Sequence, residues 1–245
     1  LDILAGGLLS LIFFKILNNF LSSKYKTLYF SEYVFKENTY LYHTVVFLIM
    51  VSLLITIGPS FDLFFSNLFY LGNSQFSLQS FDLLSLIFRK GLLPFILIYI
   101  LILPFFNYFF KIKKIYFDHQ FTFKEIILLW LSQLLTVLLF VNLILKNFWG
   151  RARPGDIVEL GGKDVFTPWY FYSDACNTNC SFVSGDASVG FSVIILYLVT
   201  KNIIFFHLSI FSGLLIGFIR IMEGGHFLSD ILLAGIIIIF LNLMI

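Results

Sequence analysis

The chain has 245 residues, of which 59% are hydrophobic, 20% aromatic and only 12% charged, and its formal net charge is +2. That composition excludes an ordinary soluble domain and places the chain in the membrane class. So small a positive balance, with no dense basic stripe, also argues against a nucleic-acid partner.

Runs apolar enough to cross a hydrocarbon core are expected at residues 1–21, 41–58, 92–110, 126–145, 187–200, 203–222 and 227–245, the fifth being short. The expected fold is therefore all-α, a polytopic transmembrane helical bundle. The first run opens on Asp2-Ile3-Leu4-Ala5-Gly6, which resembles Asp230-Ile231-Leu232-Leu233-Ala234-Gly235. It reads either as the tail helix of a preceding similar unit or as a coincidence in simple apolar sequence. Between Phe61 and Arg89, Asp62, Asp82 and Gly72-Asn73 are set among many Phe and Leu residues. This stretch is expected to form short amphipathic helices in the membrane interface, joined by a turn.

Basic residues in short loops set the orientation. Lys24, Lys26 and Lys36 flank one loop, Lys111, Lys113, Lys114 and Lys124 crowd another, and Lys201-Asn202 marks a tight turn. These positions are expected on the cytoplasmic side. Alternation then places residues 59–91, 146–186 and 223–226 together on the opposite face. Cys176 and Cys180 share one polar loop there and lack the companions of a four-ligand metal site. In an oxidising compartment they would pair as a disulfide; two free thiols are the alternative.

Three polar islands interrupt the apolar sequence on that face: Lys146 with Arg153-Pro154, Ser184-Gly185-Asp186, and Arg220 with His226 and Asp230. Ionisable groups at membrane edges are costly and point to function. Arg153 and Arg220 suit bidentate recognition of phosphate oxygens, and Lys146 adds a point charge. Ser184-Gly185 precedes an apolar helix, so its backbone N–H groups can face an anion at the positive helix end. Asp230 lies one turn beyond His226 and can orient its ring, leaving the other nitrogen free to attack phosphorus. Gly224-Gly225 allow the ring into the site. Asp186 is the candidate proton donor, a role that requires it to hold a proton near neutrality. Glu223, Asp186 and Asp174 are the carboxylates a metal alternative would recruit. Arg151 reads as a member of the phosphate site or as a surface ion pair. Trp169-Tyr170-Phe171-Tyr172 reads as an aromatic belt or a lipid or sugar contact.

With these residues in place, the chain resembles the type 2 phosphatidic acid phosphatase superfamily of membrane phosphatases. Lys146 to Arg153-Pro154 fits the first motif of that family, Ser184-Gly185 the core of the second, and Arg220, His226 and Asp230 the third. The resemblance implies a six-helix phosphatase domain over residues 41–245, preceded by one extra N-terminal helix and loop over residues 1–40. It implies that His226 forms a phosphohistidine supported by Asp230, while Lys146, Arg153, Ser184, Gly185 and Arg220 hold the phosphate. No metal or organic cofactor is implied, and the substrate class is a membrane lipid carrying a phosphate monoester or pyrophosphate. Val183 and Ile219 replace the family's proline and serine. Asp186 stands where the family has a second histidine, so leaving-group protonation falls to Asp186 or to an intrinsically acidic leaving group. Trp149-Gly150-Arg151 with Cys180 to Asp186 is most similar to a bacterial subgroup that includes lipid A phosphatases. Expected with it are an inner-membrane location and a site facing the periplasm. The alternatives are a lipid phosphotransferase using the same site, or a catalytically altered lipid-binding or transport protein.

Overall fold

A computed structural model describes residues 39–78, 82–111 and 116–245. The expected span at residues 1–21, its repeat-like opening, and Lys24, Lys26, Lys36, Lys113 and Lys114 lie outside the described residues. Residues 1–58 and 59–245 pack as separate units. The described part of the first is helix α1 (Thr39–Ile57), 19 residues long. At about 1.5 Å per residue this reaches about 28 Å.

The second unit opens with α2 (Pro59–Asn67), followed by a hairpin of β1 (Tyr70–Gly72) and β2 (Gln75–Phe76), paired antiparallel. The segment expected to be only interfacial helices and a turn is therefore part helix and part hairpin. Asn73 and Ser74 take positive φ values of 50° and 58°, the left-handed pair that matches the twist of a two-residue hairpin loop. Helix α3 (Leu83–Phe110) runs 28 residues and α4 (Phe123–Phe148) runs 26. α3 thus starts well before the expected residue 92. A reciprocal cap fixes the start of α4: Glu125 N–H donates to Thr122 Oγ1, and Thr122 N–H donates to the Glu125 carboxylate at 2.7 Å.

The short fifth run is two helices, α5 (Gly185–Phe191) and α6 (Ile194–Thr200). The break between them is satisfied locally, with Ser192 Oγ donating to Val189 O. Lys201 turns the chain at φ 58°, and Asn202 Oδ1 accepts from Ile204 N–H to start α7 (Ile203–Met222). Helix α8 (Leu228–Met244) ends the fold. Among the described residues α3, α4 and α7 are long and apolar enough to cross a membrane, whereas Gly185–Thr200 and α8 are shorter. This is an all-α membrane bundle, and large apolar side chains such as Phe95, Phe109, Leu138 and Phe211 stand exposed on its outer helices. In water such a belt would be a liability; facing lipid it is the expected surface.

One core lies towards the end of the bundle that carries the α3–α4 and α6–α7 connections, where Ile100, Tyr116, Leu129, Leu196 and Phe205 pack together. A second, of Phe76, Ala152, Ile157, Leu160 and Phe227, joins the hairpin to the long loop after α4 at the other end. Small residues bring α5, α7 and α8 close: a Cβ on Gly190 would stand 2.7 Å from Gly213, and one on Gly235 would stand 2.9 Å from the Phe191 ring.

Candidate active site

The start of α3, the end of α4, the start of α5, the end of α7 and the start of α8 meet on one face. Ser184 N–H donates to Asp230 O, and Ser184 Oγ accepts from Ala187 N–H to cap α5. A Cβ on Gly185 would fall 2.4 Å from Asn142 Oδ1 and 3.2 Å from Lys146 Nζ. Glycine is what lets the lysine reach the helix start. Lys146 is buried, and its Nζ donates to Asn179 Oδ1 at 3.2 Å. Arg153 Nη2 donates to the backbone oxygen of the same Asn179 at 2.7 Å. Asn179 sits at φ 51° inside the five-residue loop closed by the Cys176–Cys180 disulfide. Of the two readings of these cysteines, the paired one holds. The small ring positions two of the three expected phosphate-binding cations.

The third, Arg220, is buried at the end of α7 and donates to Glu223, whose other oxygen accepts from Ser85 Oγ. Its Nε lies 3.3 Å from Asp186 Oδ2, at ion-pair distance, although the N–H is not aimed along that line. Arg89 Nε reaches the same oxygen at 3.4 Å. Asp186 is thus bracketed by two guanidiniums, one of which sequence reasoning did not single out. Gly224 takes φ 63°, and a Cβ on Gly225 would meet the Arg220 guanidinium at 2.5 Å. Gly225 thus opens room for the arginine, while a Cβ on Gly224 would stand 2.4 Å from the Phe76 ring.

His226 is 1% exposed, with Nδ1 2.7 Å from the carbonyl oxygen of Ser181. A carbonyl can only accept, so Nδ1 carries the proton and Nε2 keeps its lone pair. Burial lowers the His226 pKa well below its ordinary value, and Arg220, Lys146 and Arg153 lower it further. Burial and then Arg220 also lower that of Arg153. The ring is therefore a neutral, oriented base in the field of three cations.

The direct hydrogen bond expected from Asp230 to this ring is not made, because Asp230 Oδ2 lies 3.9 Å from Nδ1. That carboxylate is fully engaged elsewhere. Oδ2 accepts from Ser181 Oγ at 2.6 Å and from Phe227 N–H at 3.0 Å, and Oδ1 accepts from Arg151 Nη1 at 2.6 Å. Asp230 is linked to the histidine through Ser181, whose Oγ donates to the carboxylate and whose carbonyl accepts from the ring. Arg151 belongs neither to the phosphate site nor to the surface. It is fully buried, donates to Asp62 Oδ2 at 2.7 Å, Ser229 Oγ at 2.9 Å and Thr167 O at 2.9 Å, and lies over the Phe227 ring at 4.2 Å. Asp62 completes the network, accepting from Ser229 N–H and Oγ. In sequence it is only one polar residue of an interfacial segment. Trp169, of the aromatic run, faces inward, with Trp149 Nε1 donating to its carbonyl.

A polytopic α-helical membrane protein with a histidine, a lysine and arginines gathered at one end of the bundle defines the class. Residues 127–245 match the family described as the PAP2 superfamily. The chain is 38% identical over 104 residues to a lipid A 4'-phosphatase of Francisella tularensis subsp. novicida, covering 41% of this chain and 47% of the relative. It thus spans about half the length of that protein. Lipid A 4'-phosphatases of Rhizobium leguminosarum and Rhizobium etli are 28% and 29% identical over 198 residues; each match covers 71% of this chain, and 81% and 74% of the respective relatives. No solved structure matches this chain.

Proposed function

We propose that this chain is a lipid phosphatase that transfers phosphate from a membrane lipid to water through His226. The observation that carries the reading is the Nδ1–H hydrogen bond to Ser181 O, which fixes the tautomer and leaves a buried Nε2 lone pair beside three cations. Nε2 attacks phosphorus and a P–N bond forms as the P–O bond to the lipid breaks. Lys146, Arg153, Arg220 and the start of α5 stabilise the charge on the equatorial oxygens. These groups of the chain itself supply the neutralisation, so the proposed reaction is independent of metal. Water then attacks the phosphohistidine, releasing phosphate and restoring the ring.

Asp186 is proposed as the proton donor. Its carboxylate stands at the start of α5, within 3.4 Å of the Arg220 and Arg89 Nε atoms, where the leaving oxygen would meet it. The relatives named above support lipid A as the substrate, with its 4'-phosphate as the group removed. A periplasmic site in the inner membrane is supported by Lys111, Lys124 and Lys201 at the opposite end of the bundle and by the disulfide beside the site. Phosphate release from lipid A by the purified protein in chelator, abolished in His226→Ala, is the expected result. Full activity in that variant refutes the mechanism.

A further inference from the structure

The loop between α4 and α5 is tied back to the end of α4 by backbone bonds. Cys176 N–H donates to Gly150 O at 3.0 Å, Cys180 N–H to Lys146 O at 3.1 Å and Ser181 N–H to Arg151 O at 2.9 Å. Between the first two anchors the Cys176–Cys180 disulfide closes residues 177–179 into a small ring. Asn179 presents two oxygens from that ring. Oδ1 accepts from Lys146 Nζ at 3.2 Å, and the backbone oxygen accepts from Arg153 Nη2 at 2.7 Å. Both belong to neutral groups. Arg220 is held differently, by an ion pair to Glu223 and a second carboxylate, Asp186, at 3.3 Å. Among the described residues neither Lys146 nor Arg153 has a carboxylate at ion-pair distance. An amide or carbonyl oxygen aims a cation without cancelling its charge. Lys146 and Arg153 are therefore ordered in advance, with their charge left for an anion, and ordering that precedes binding does not subtract from affinity.

We propose that Asn179 is a positioning residue that prearranges Lys146 and Arg153 for phosphate, and that the Cys176–Cys180 disulfide holds it there, so that phosphate affinity depends on the oxidised ring. The inference rests on the lipid-phosphatase reading for its ligand. Cys176 is partly exposed and Cys180 is buried, so a dithiol reductant attacks the sulfur of Cys176. The S–S bond breaks as a mixed disulfide forms, and Cys180 leaves as a thiolate that takes up a proton. The second thiol of the reductant then displaces Cys176, so that two electrons have passed to the ring and the reductant ends as its own disulfide. The backbone bonds of Cys176, Cys180 and Ser181 survive this exchange. The loop stays docked, and the freedom gained is confined to residues 177–179.

The test is the inhibition constant of inorganic phosphate against turnover of a lipid phosphomonoester, with melting temperature measured alongside. Asn179→Ala releases Lys146 alone, because the backbone oxygen used by Arg153 remains, and raises the constant about tenfold. Asn179→Asp keeps the shape and the acceptor but sets a negative charge against Lys146. It raises the constant further than alanine does, while the melting temperature stays at or above that of the wild type. A purely structural residue would rank the two variants the other way, since aspartate preserves the bond and alanine removes it. Dithiol reduction of the folded wild type, verified by alkylation of Cys176 and Cys180, raises the constant about tenfold, and reoxidation restores it. The double variant Cys176→Ser/Cys180→Ser shows the raised value with or without dithiol. A constant for Asn179→Asp at or below that of Asn179→Ala overturns the positioning role, and an unchanged constant in the reduced protein overturns the part given to the disulfide. If the wild type releases phosphate from no lipid, the functional reading fails by itself. Calorimetric titration with inorganic phosphate then decides the inference by the same ranking, and a wild type that binds no phosphate overturns it.

Discussion

Replacing Arg151 with methionine keeps much of the side-chain volume and removes the only guanidinium between Asp62 and Asp230 in the described residues. All three groups are buried, and the arginine donates to both carboxylates within 2.7 Å. Removing one partner of a buried ion pair leaves an uncompensated charge and costs about 3–5 kcal/mol. For a chain of this size each kcal/mol lowers Tm by about 2–4 °C, so the expected fall is roughly 6–20 °C. Thermal unfolding in detergent, followed by fluorescence, measures it. Adding Asp62→Asn to Arg151→Met should recover part of the loss, because one of the stranded charges disappears. Such a gain in the double variant cannot arise if Arg151 acts by touching phosphate. A variant that melts with the wild type but has lost phosphate release would refute the structural role and return Arg151 to the substrate site.

Other expectations follow from the same geometry. Because burial and the three cations hold His226 well below 6.5, the neutral nucleophile persists into mild acid, and the acid limb of kcat/KM should lie below pH 6.5; a limb above that value contradicts the assigned environment. The unfolded chain binds near pH 6.5 a proton that the folded one refuses, so this group's contribution to stability is intact above 6.5 and is lost as pH falls through it. Gly185→Ala inserts a methyl 2.4 Å from Asn142 Oδ1 and 3.2 Å from Lys146 Nζ, and should lower kcat about a hundredfold by displacing the lysine, while the melting temperature moves little. Asp186→Asn should reduce turnover of alkyl phosphates by about two to four orders of magnitude, the usual worth of a general acid. Aryl phosphates with acidic leaving groups should be far less affected, and equal losses on both would assign Asp186 to positioning Arg220 instead.

The bundle and the three islands were legible in sequence because each depends on local chemistry. Apolar runs must span, and charges at membrane edges must be used. What was not legible depends on partners brought from far away. Ser181 orients His226 through a backbone carbonyl, which no side-chain pattern reveals. Spacing puts Asp230 one turn from His226, yet Ser181 and Phe227 hold its Oδ2 and Arg151 its Oδ1. Asn179 looks like an ordinary loop residue until the disulfide turns it towards Lys146 and Arg153. The hairpin after α2 carried a signal in Gly72-Asn73-Ser74, but its strands are too short for alternation to show.

The Asp62–Arg151–Asp230 network also has a bearing on how the protein is made. Its members are 89 and 79 residues apart. The arginine therefore has no carboxylate from α8 to meet until that helix has been synthesised and has entered the bilayer. Until then Asp62 is the one carboxylate of the network that Arg151 can meet. Completion of the network, and with it the placing of Ser181 beside His226, is thereby tied to insertion of α8.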